Sequence, residues 1–469
     1  MLKLQEFSGV RTATISEAPV DPAVYELHQK CGVYTKSEMV EHILDLVGWL
    51  ESGNLPKGRL LEPSAGDGAF VVEAARRLIR SAYRLGVTDW SSISMCIRSY
   101  ELHPGEADAA RNALKEMLDK EGVPADSAVN LTKIWVTTDD FLLNCPRVSR
   151  FTHVVGNPPY SRWSKIPKSL REKYEAALPK SIARGDIFLP FLDLGIESLE
   201  TGGKLGYLCS NRWRYMAFAS DFRRSRLPQV LVHNDQEVTA AEVYRRDVDI
   251  YPSVLVMEKQ EISATAVAPT RSGVTLSELG FEVRVGPALG CTDAYVIPAT
   301  STREIEEELL APWVDARSIR EDHIVLDGRH VICLHDDVGN LRKIESFPGA
   351  LAWLSRYKTQ LSQRAIVAKH GAVWFRPIDK VQASKWSKPK ILLPELAKVP
   401  RVALDLSGVV PSHGVYAIVP KNPEADIEDL YKRLRNGGLA AALNGKAPKV
   451  KGEYVRCYKS ILQELRFEL

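Results

Sequence analysis

The sequence predicts an α/β protein whose first half is a largely parallel, Rossmann-like sheet and whose second half is a separate mixed α/β domain. Three observations predict it. Apolar strand-like runs alternate with helix-period segments over the first half of the chain, the pattern of a parallel sheet with helical crossovers. The first of those strands runs into a glycine turn, Gly66 and Gly68, and then into a helix. Near residue 260 the texture becomes small, polar and aperiodic, KQEISATAVAPTRSGVTLSE, which marks a boundary and predicts domains at 1–262 and 275–469. At 469 residues the chain is long enough for two cores of that size.

Residues 1–30 read as a lead-in. SEMVEHILDLVGWLES predicts a helix with Met39, Ile43, Leu46, Val47 and Leu50 on its buried face. GRLLEPSAGDGAFVVEAARRLIRSAY predicts strand, turn and helix, and CIRSYELHP a second strand ending in Glu101. EADAARNALKEMLDKEG predicts a helix, IWVTTDDFL a strand with Asp139, Asp140 and Phe141 at its end, and FTHVVGNPPY a strand with a polar loop after it. DIFLPFLDLGIESLETGGKLGYLCSN predicts helix then strand, and VLVHNDQEV and SVLVMEKQ two more strands.

Composition narrows the function. A net charge of +3 does not by itself announce a polyanion partner, so a nucleic-acid site has to come from local clustering. The seven cysteines are scattered and form no CxxC pair, which argues against zinc and against a disulfide framework and fits free thiols in a reducing cytoplasm. No apolar run approaches the roughly 20 residues of a membrane span, and MLKLQEFSGVRTATISEAP has no secretory apolar core.

Ligands of open α/β sheets bind at the carboxyl ends of the strands, and three successive strand ends here carry suitable groups. Gly66 and Gly68 permit a tight turn and close backbone approach. Glu101 offers a carboxylate for ribose hydroxyls. Asp140 is an acceptor for an adenine amino group and Phe141 an aromatic to pack on the ring. The combination predicts an adenosine-containing cofactor. The missing GxGxxG and P-loop lysine argue against NAD and ATP.

GNPPY, Gly156 to Tyr160, is the most specific signal. The nitrogen of an adenine amino group is a poor nucleophile because its lone pair is delocalised into the ring. Acceptors aimed at its N–H bonds draw it toward tetrahedral geometry. The Asn157 side-chain carbonyl and the Pro158 backbone carbonyl supply such acceptors, and the prolines Pro158 and Pro159 add no competing N–H. Tyr160 offers a flat face for an extruded base.

With these residues in place, the order of motifs resembles the gamma class of N6-adenine DNA methyltransferases, the Taq-type group with a C-terminal target recognition domain. VYTKSEMVEHI resembles its N-terminal motif, with Thr35 against the methionine part of the cofactor. LEPSAGDGAF carries over Glu62, Gly66 and Gly68, YELHP carries over Glu101, and TDDFL carries over Asp140 and Phe141. GNPPY matches the catalytic motif at every position. AAEVYRRDVDIYPSVLVMEK is similar to a late motif that supplies a second aromatic against the flipped base, Tyr244 or, failing that, Tyr251. The intervening SAYRLGVTDWSSIS is longer than the pattern and reads as extra helix and loop, with Asp89 a poor substitute for Glu101. The resemblance covers roughly residues 31–260. It implies an S-adenosylmethionine-dependent methyltransferase sheet, duplex DNA as substrate, base flipping, and service in restriction-modification or phage defence beside a cognate endonuclease or defence-system subunit.

In the second half, LGFEVRVGPALGCTDAYVI, KPKILLPELAKVPRVALDLSGVVPSHGVYAIVP and NGKAPKVKGEYVRCYKSILQELRFEL more loosely resemble segments of that recognition domain. Charge points the same way. From Arg356 to Arg401 there are 11 basic residues and 2 acidic ones, a local +9, which fits phosphate contacts. Arg376, Lys385, Lys388 and Lys390 are the DNA-binding candidates, while the interleaved Trp374, Phe375 and Trp386 read better as core. The loop after GNPPY is also basic, Arg162 to Lys173, and reads equally as a strand grip or a solvated helix start. Competing readings are an RNA or protein-glutamine N-methyltransferase, an inactive DNA-binding accessory subunit, and a fused restriction enzyme. The last is disfavoured by the roughly 60 residues ahead of the glycine motif.

Overall fold

A computed structural model describes residues 20–145, 151–245, 252–261, 273–444, 446–450 and 453–467. The chain divides into two compact units, Met1–Ala268 and Pro269–Leu469.

The first unit is built on seven strands: β1 Leu60–Glu62, β2 Ile97–Glu101, β3 Val136–Thr138, β4 Phe151–Gly156, β5 Leu199–Ser210, β6 Val230–Glu237 and β7 Pro252–Lys259. Their order across the sheet is β3-β2-β1-β4-β5-β7-β6. The first five pair in parallel, and β7 runs antiparallel between β5 and β6. Strand order reverses between β1 and β4, and a ligand crevice opens at such a switch point.

Eight helices matter for the site: α1 Pro22–Cys31, α2 Ser37–Val47, α3 Ala69–Arg84, α4 Pro104–Lys120, α5 Ala125–Trp135, α6 Phe141–Asn144, α7 Lys168–Ala177 and α8 Phe188–Ser198. The supposed lead-in therefore contains a helix. Asp21 caps α1 through its side chain and Pro22 opens it, a start signal present in the sequence. The helix at 37–47 ends where Gly48 turns left-handed. Its buried face is Val40, Ile43, Leu44 and Val47, whereas Leu46 and Leu50 are exposed, which corrects the predicted face. Val40 and Leu44 join Ile43 and Val47 in the core, and Met39 packs against it half-buried.

Gly68 shows why the turn needs glycine twice over. Its φ is +93°, and a Cβ there would lie 2.9 Å from the Ala110 Cα of α4. A larger residue would be both strained and in collision. The stretch between α3 and β2 holds a short 3-10 turn, Trp90–Ile93, capped by Asp89. Asp89 is thus a turn cap, and Glu101 ends the second strand.

The second unit contains two four-stranded sheets. In one, Lys390–Pro394 is flanked antiparallel by Ala403–Asp405 and Val415–Pro420, and the latter pairs with Phe281–Val285. Its core gathers Tyr295, Trp313, Trp353, Phe375 and Trp386, so Phe375 and Trp386 are core residues as predicted. Among the described residues no helix is long and apolar enough to cross a membrane.

Candidate active site

The carboxyl ends of β1, β2, β3 and β4 line one pocket together with α1 and residues 32–35. Glu62 ends β1 with no exposed surface, and neither carboxylate oxygen finds a hydrogen-bond partner. Burial pushes its carboxyl well above the ordinary range, the negative charges of Asp67 and Glu101 push it further, and the Val71 amide offsets little of this. Burial thus favours the protonated form of Glu62 relative to an exposed carboxyl.

Glu101 is 8 % exposed. Its two oxygens accept the Gly66 and His103 backbone N–H groups, each at 2.8 Å, which ties the glycine turn to the end of β2. Burial raises its carboxyl, and those two amides moderate the rise. Asp140 caps α6 through Leu142 N–H at 2.9 Å and accepts the Tyr174 hydroxyl at 2.9 Å. Phe141 is buried and stacked on Phe191, with ring centroids 5.6 Å apart. Thr35 is buried in the same wall. Gly66, with φ +54°, faces the Tyr34 ring across the pocket mouth. His103 Nε2 is a further buried atom without a partner. Buried polar atoms left unpaired are costly, so this wall suits a ligand that brings polar groups to Glu62 and His103.

Asn157 sits just beyond β4, on the same pocket. Its amide nitrogen donates to the Val33 carbonyl and to Thr35 Oγ1, both at 3.1 Å. Those bonds fix which way the amide points, since a flip would set oxygen against oxygen. Its Oδ1 is buried and unpartnered. The motif thus presents a free carbonyl acceptor, held by the residues that wall the pocket. Pro159 lines the pocket as well, while Pro158 is buried beside it.

Tyr244 is placed differently from expectation. Tyr160 donates its hydroxyl to the Leu208 carbonyl at 2.7 Å and accepts from the Tyr244 hydroxyl at 2.8 Å. The rings meet edge to face at 6.2 Å. Tyr244 is 2 % exposed and bridges to Thr35 through its backbone. In this state it has no open face for a base, and it braces Thr35 and Tyr160. Tyr251 lies outside the described residues. Arg245, next in sequence, donates its backbone N–H to the Tyr34 carbonyl and pairs with Asp67 at 2.5 Å.

Of the basic residues in the second unit, Lys385 and Lys388 are exposed and Arg376 is half-buried. Lys390 overturns its expectation. It is fully buried and paired with Asp405, and it also donates to the Trp386 carbonyl. Alternation explains this: Lys390 falls in register on Asp405 in the adjacent strand, facing the core. After GNPPY, Trp163 is buried, and Lys168 and Arg171 pair along α7 with Glu172 and Glu175. Arg162 and Lys165 of the same segment are exposed.

Sequence reasoning missed the α1 wall, Tyr34, His103, Tyr174 and Phe191. Asp21-Pro22 signalled α1, but nothing in the sequence signalled that it would close the pocket.

The fold is the Rossmann-like sheet found in S-adenosylmethionine-dependent methyltransferases, with the pocket at its strand ends. Residues 91–235 match the family of Eco57I restriction-modification methylases. The chain is 26 % identical to the Type II methyltransferase M.XhoI of Xanthomonas vasicola, over 93 % of this chain and 91 % of that one. It is 25 % identical to the Type II methyltransferase M.PaeR7I of Pseudomonas aeruginosa, over 94 % and 86 %. Among solved structures, the Type IIL restriction-modification enzyme MmeI in complex with DNA aligns with a TM-score of 0.52 at 13 % identity. That alignment covers 94 % of this chain and 66 % of the longer enzyme, and it bears on the fold. Together the matches support a DNA methyltransferase of the restriction-modification kind.

Proposed function

We propose that this protein transfers a methyl group from S-adenosylmethionine to the N6 amino group of adenine in duplex DNA, by base flipping, as the modification enzyme of a restriction-modification or phage-defence system. The carrying observation is Asn157: its amide donors are spent on Val33 and Thr35, and its carbonyl oxygen is left buried and free. A free acceptor suits a substrate that brings N–H bonds.

The strand-end wall would hold the cofactor: Glu101 at the ribose, Asp140 and Phe141 at the adenine, and Thr35, Glu62, Gly66 and Gly68 around the methionine part and the turn. Bound there, S-adenosylmethionine supplies a methyl group already activated on a sulfonium, so no base is needed before attack. The chain's own residues orient. Asn157 Oδ1 accepts one N–H of the target amino group, the Pro158 carbonyl accepts the other, and Pro159 keeps the loop free of competing donors. The Asn157 and Pro158 acceptors would hold the amino hydrogens until the methylated nitrogen loses one of them to water. Tyr160 stacks on the extruded base, and Tyr244 joins it only if its contact with Thr35 opens. Arg376, Lys385 and Lys388 contact DNA, in a recognition domain at 275–469 that follows a catalytic domain at 1–262. A cognate endonuclease or defence-system subunit is the partner this setting calls for.

The test is incubation of the purified protein with labelled S-adenosylmethionine and unmethylated genomic DNA, followed by nucleoside analysis. N6-methyladenine is expected. Label on cytosine, or label only in RNA or protein, overturns the reading.

A further inference from the structure

The charge count over Arg356–Arg401 treats its cations alike, but the structure divides them by what they touch. Arg364 is spent internally. Its guanidinium donates to the carbonyls of Leu361, Leu289, Trp374 and Arg376, at 2.9, 3.2, 2.7 and 2.8 Å. An arginine satisfied by four backbone carbonyls acts as a clasp, holding 374–376 against 289 and the end of the preceding helical turn. The downstream side is pinned too. Asp379 exchanges backbone and side-chain hydrogen bonds with Ala288, and the Ile378 N–H reaches the Leu289 carbonyl.

The loop held this way has a distinctive outer surface. Val373 and Ile378 are exposed at 48 % and 42 % although apolar. Lys369, Arg376 and Lys380 form no ion pair among the described residues. The nearby carboxylates are already engaged, Asp379 with Ala288 N–H and Asp336 with the Val338 and Asn340 N–H groups. Arg376 is half-buried and Lys369 and Lys380 are exposed.

We propose that the loop 369–380, held rigid by Arg364, is the element that reads DNA sequence, with Arg376 on a base edge, Val373 and Ile378 as apolar contacts to base methyl groups, and Lys369 and Lys380 on flanking phosphates. This rests on the reading of the protein as a DNA methyltransferase. Duplex DNA is the occupant because unpaired cations flank a pair of exposed apolar side chains, and a groove lined by phosphates and thymine methyls is complementary to both. Rigidity matters because a mobile loop would lose discrimination to ordering entropy. Lys385 and Lys388, outside the clasped segment, are left with phosphate contacts alone. Arg364 touches no DNA and is a positioning residue.

The experiment maps methylated sites by long-read sequencing for wild type, Arg376→Gln, Ile378→Ser, Lys369→Gln and Arg364→Lys, with DNA affinity and melting temperature measured in parallel. Arg376→Gln and Ile378→Ser are expected to lose roughly five- to hundredfold discrimination at one or two positions of the target site. Lys369→Gln is expected to weaken binding to all sequences evenly and to lower the salt slope by about one. Arg364→Lys is expected to broaden the site while affinity for unrelated DNA holds, which a merely structural loss would not do. If wild type methylates a defined site and Arg376→Gln and Ile378→Ser keep that site with unchanged discrimination, the loop does not read sequence. If wild type puts no label in DNA, the functional reading fails instead, so the two failures are distinct.

Discussion

Asn157→Ala separates catalysis from folding, and the structure sets both magnitudes. The substitution removes two neutral hydrogen bonds, to Val33 and Thr35. Each contributes about 0.5–1.5 kcal/mol, so the loss is about 1–3 kcal/mol, a melting temperature lower by roughly 2–12 °C for a unit of this size. Removing one preorganised group that stabilises developing charge costs far more in rate, about 10²–10³-fold in kcat. Cofactor affinity should move less than kcat, because Thr35 alone in the proposed cofactor wall loses a bond to Asn157, while Glu101, Gly66 and Asp140 are held by other partners. Asn157→Asp should be no better. It keeps an acceptor but sets carboxylate oxygens against the Val33 carbonyl. The assay is single-turnover transfer of labelled methyl to DNA, beside calorimetric cofactor titration. An alanine variant with kcat within threefold of wild type would refute the assignment of the free Oδ1.

Glu101→Gln should weaken cofactor binding about tenfold or more, since it loses charge-assisted bonds of about 1.5–3 kcal/mol and turns a donor toward the Gly66 or His103 N–H; unchanged titration curves would count against it. Glu62→Gln should stabilise the protein increasingly with pH. The folded carboxyl is raised well above 4.5, so its stability contribution is full below pH 4.5 and is lost as pH climbs toward the folded value. Melting curves of both forms across pH should diverge upward from that point, and a constant gap would sink the idea. Lys390→Ala should cost about 3–5 kcal/mol by removing the cation beside buried Asp405, which keeps only its hydrogen bonds from Ser407 and Val409, read by chemical denaturation. Lys388→Gln should leave stability unchanged and lower the salt slope of DNA binding by about one; the opposite pattern would restore Lys390 to the surface.

The sequence by itself determined the sheet and its glycine turn, because period-2 and period-3.6 patterning and glycine's tolerance of φ +93° are local physics. It also determined which residues fall at strand ends: Glu62, Glu101, Asp140 and Asn157 all line one pocket, since an apolar strand followed by a polar residue is legible in a row of letters. Only the tertiary structure decided what those groups touch. That α1 closes the pocket, that Tyr244 braces Thr35, and that Arg364 clasps a loop all depend on residues far apart in the chain. Lys390 and Lys388 show the limit plainly. Two positions apart in one basic stretch, they are equal as charges in the sequence. Strand pairing turns one onto buried Asp405 and leaves the other in solvent. Charge is a property of the residue, but burial depends on which strand lies beside it.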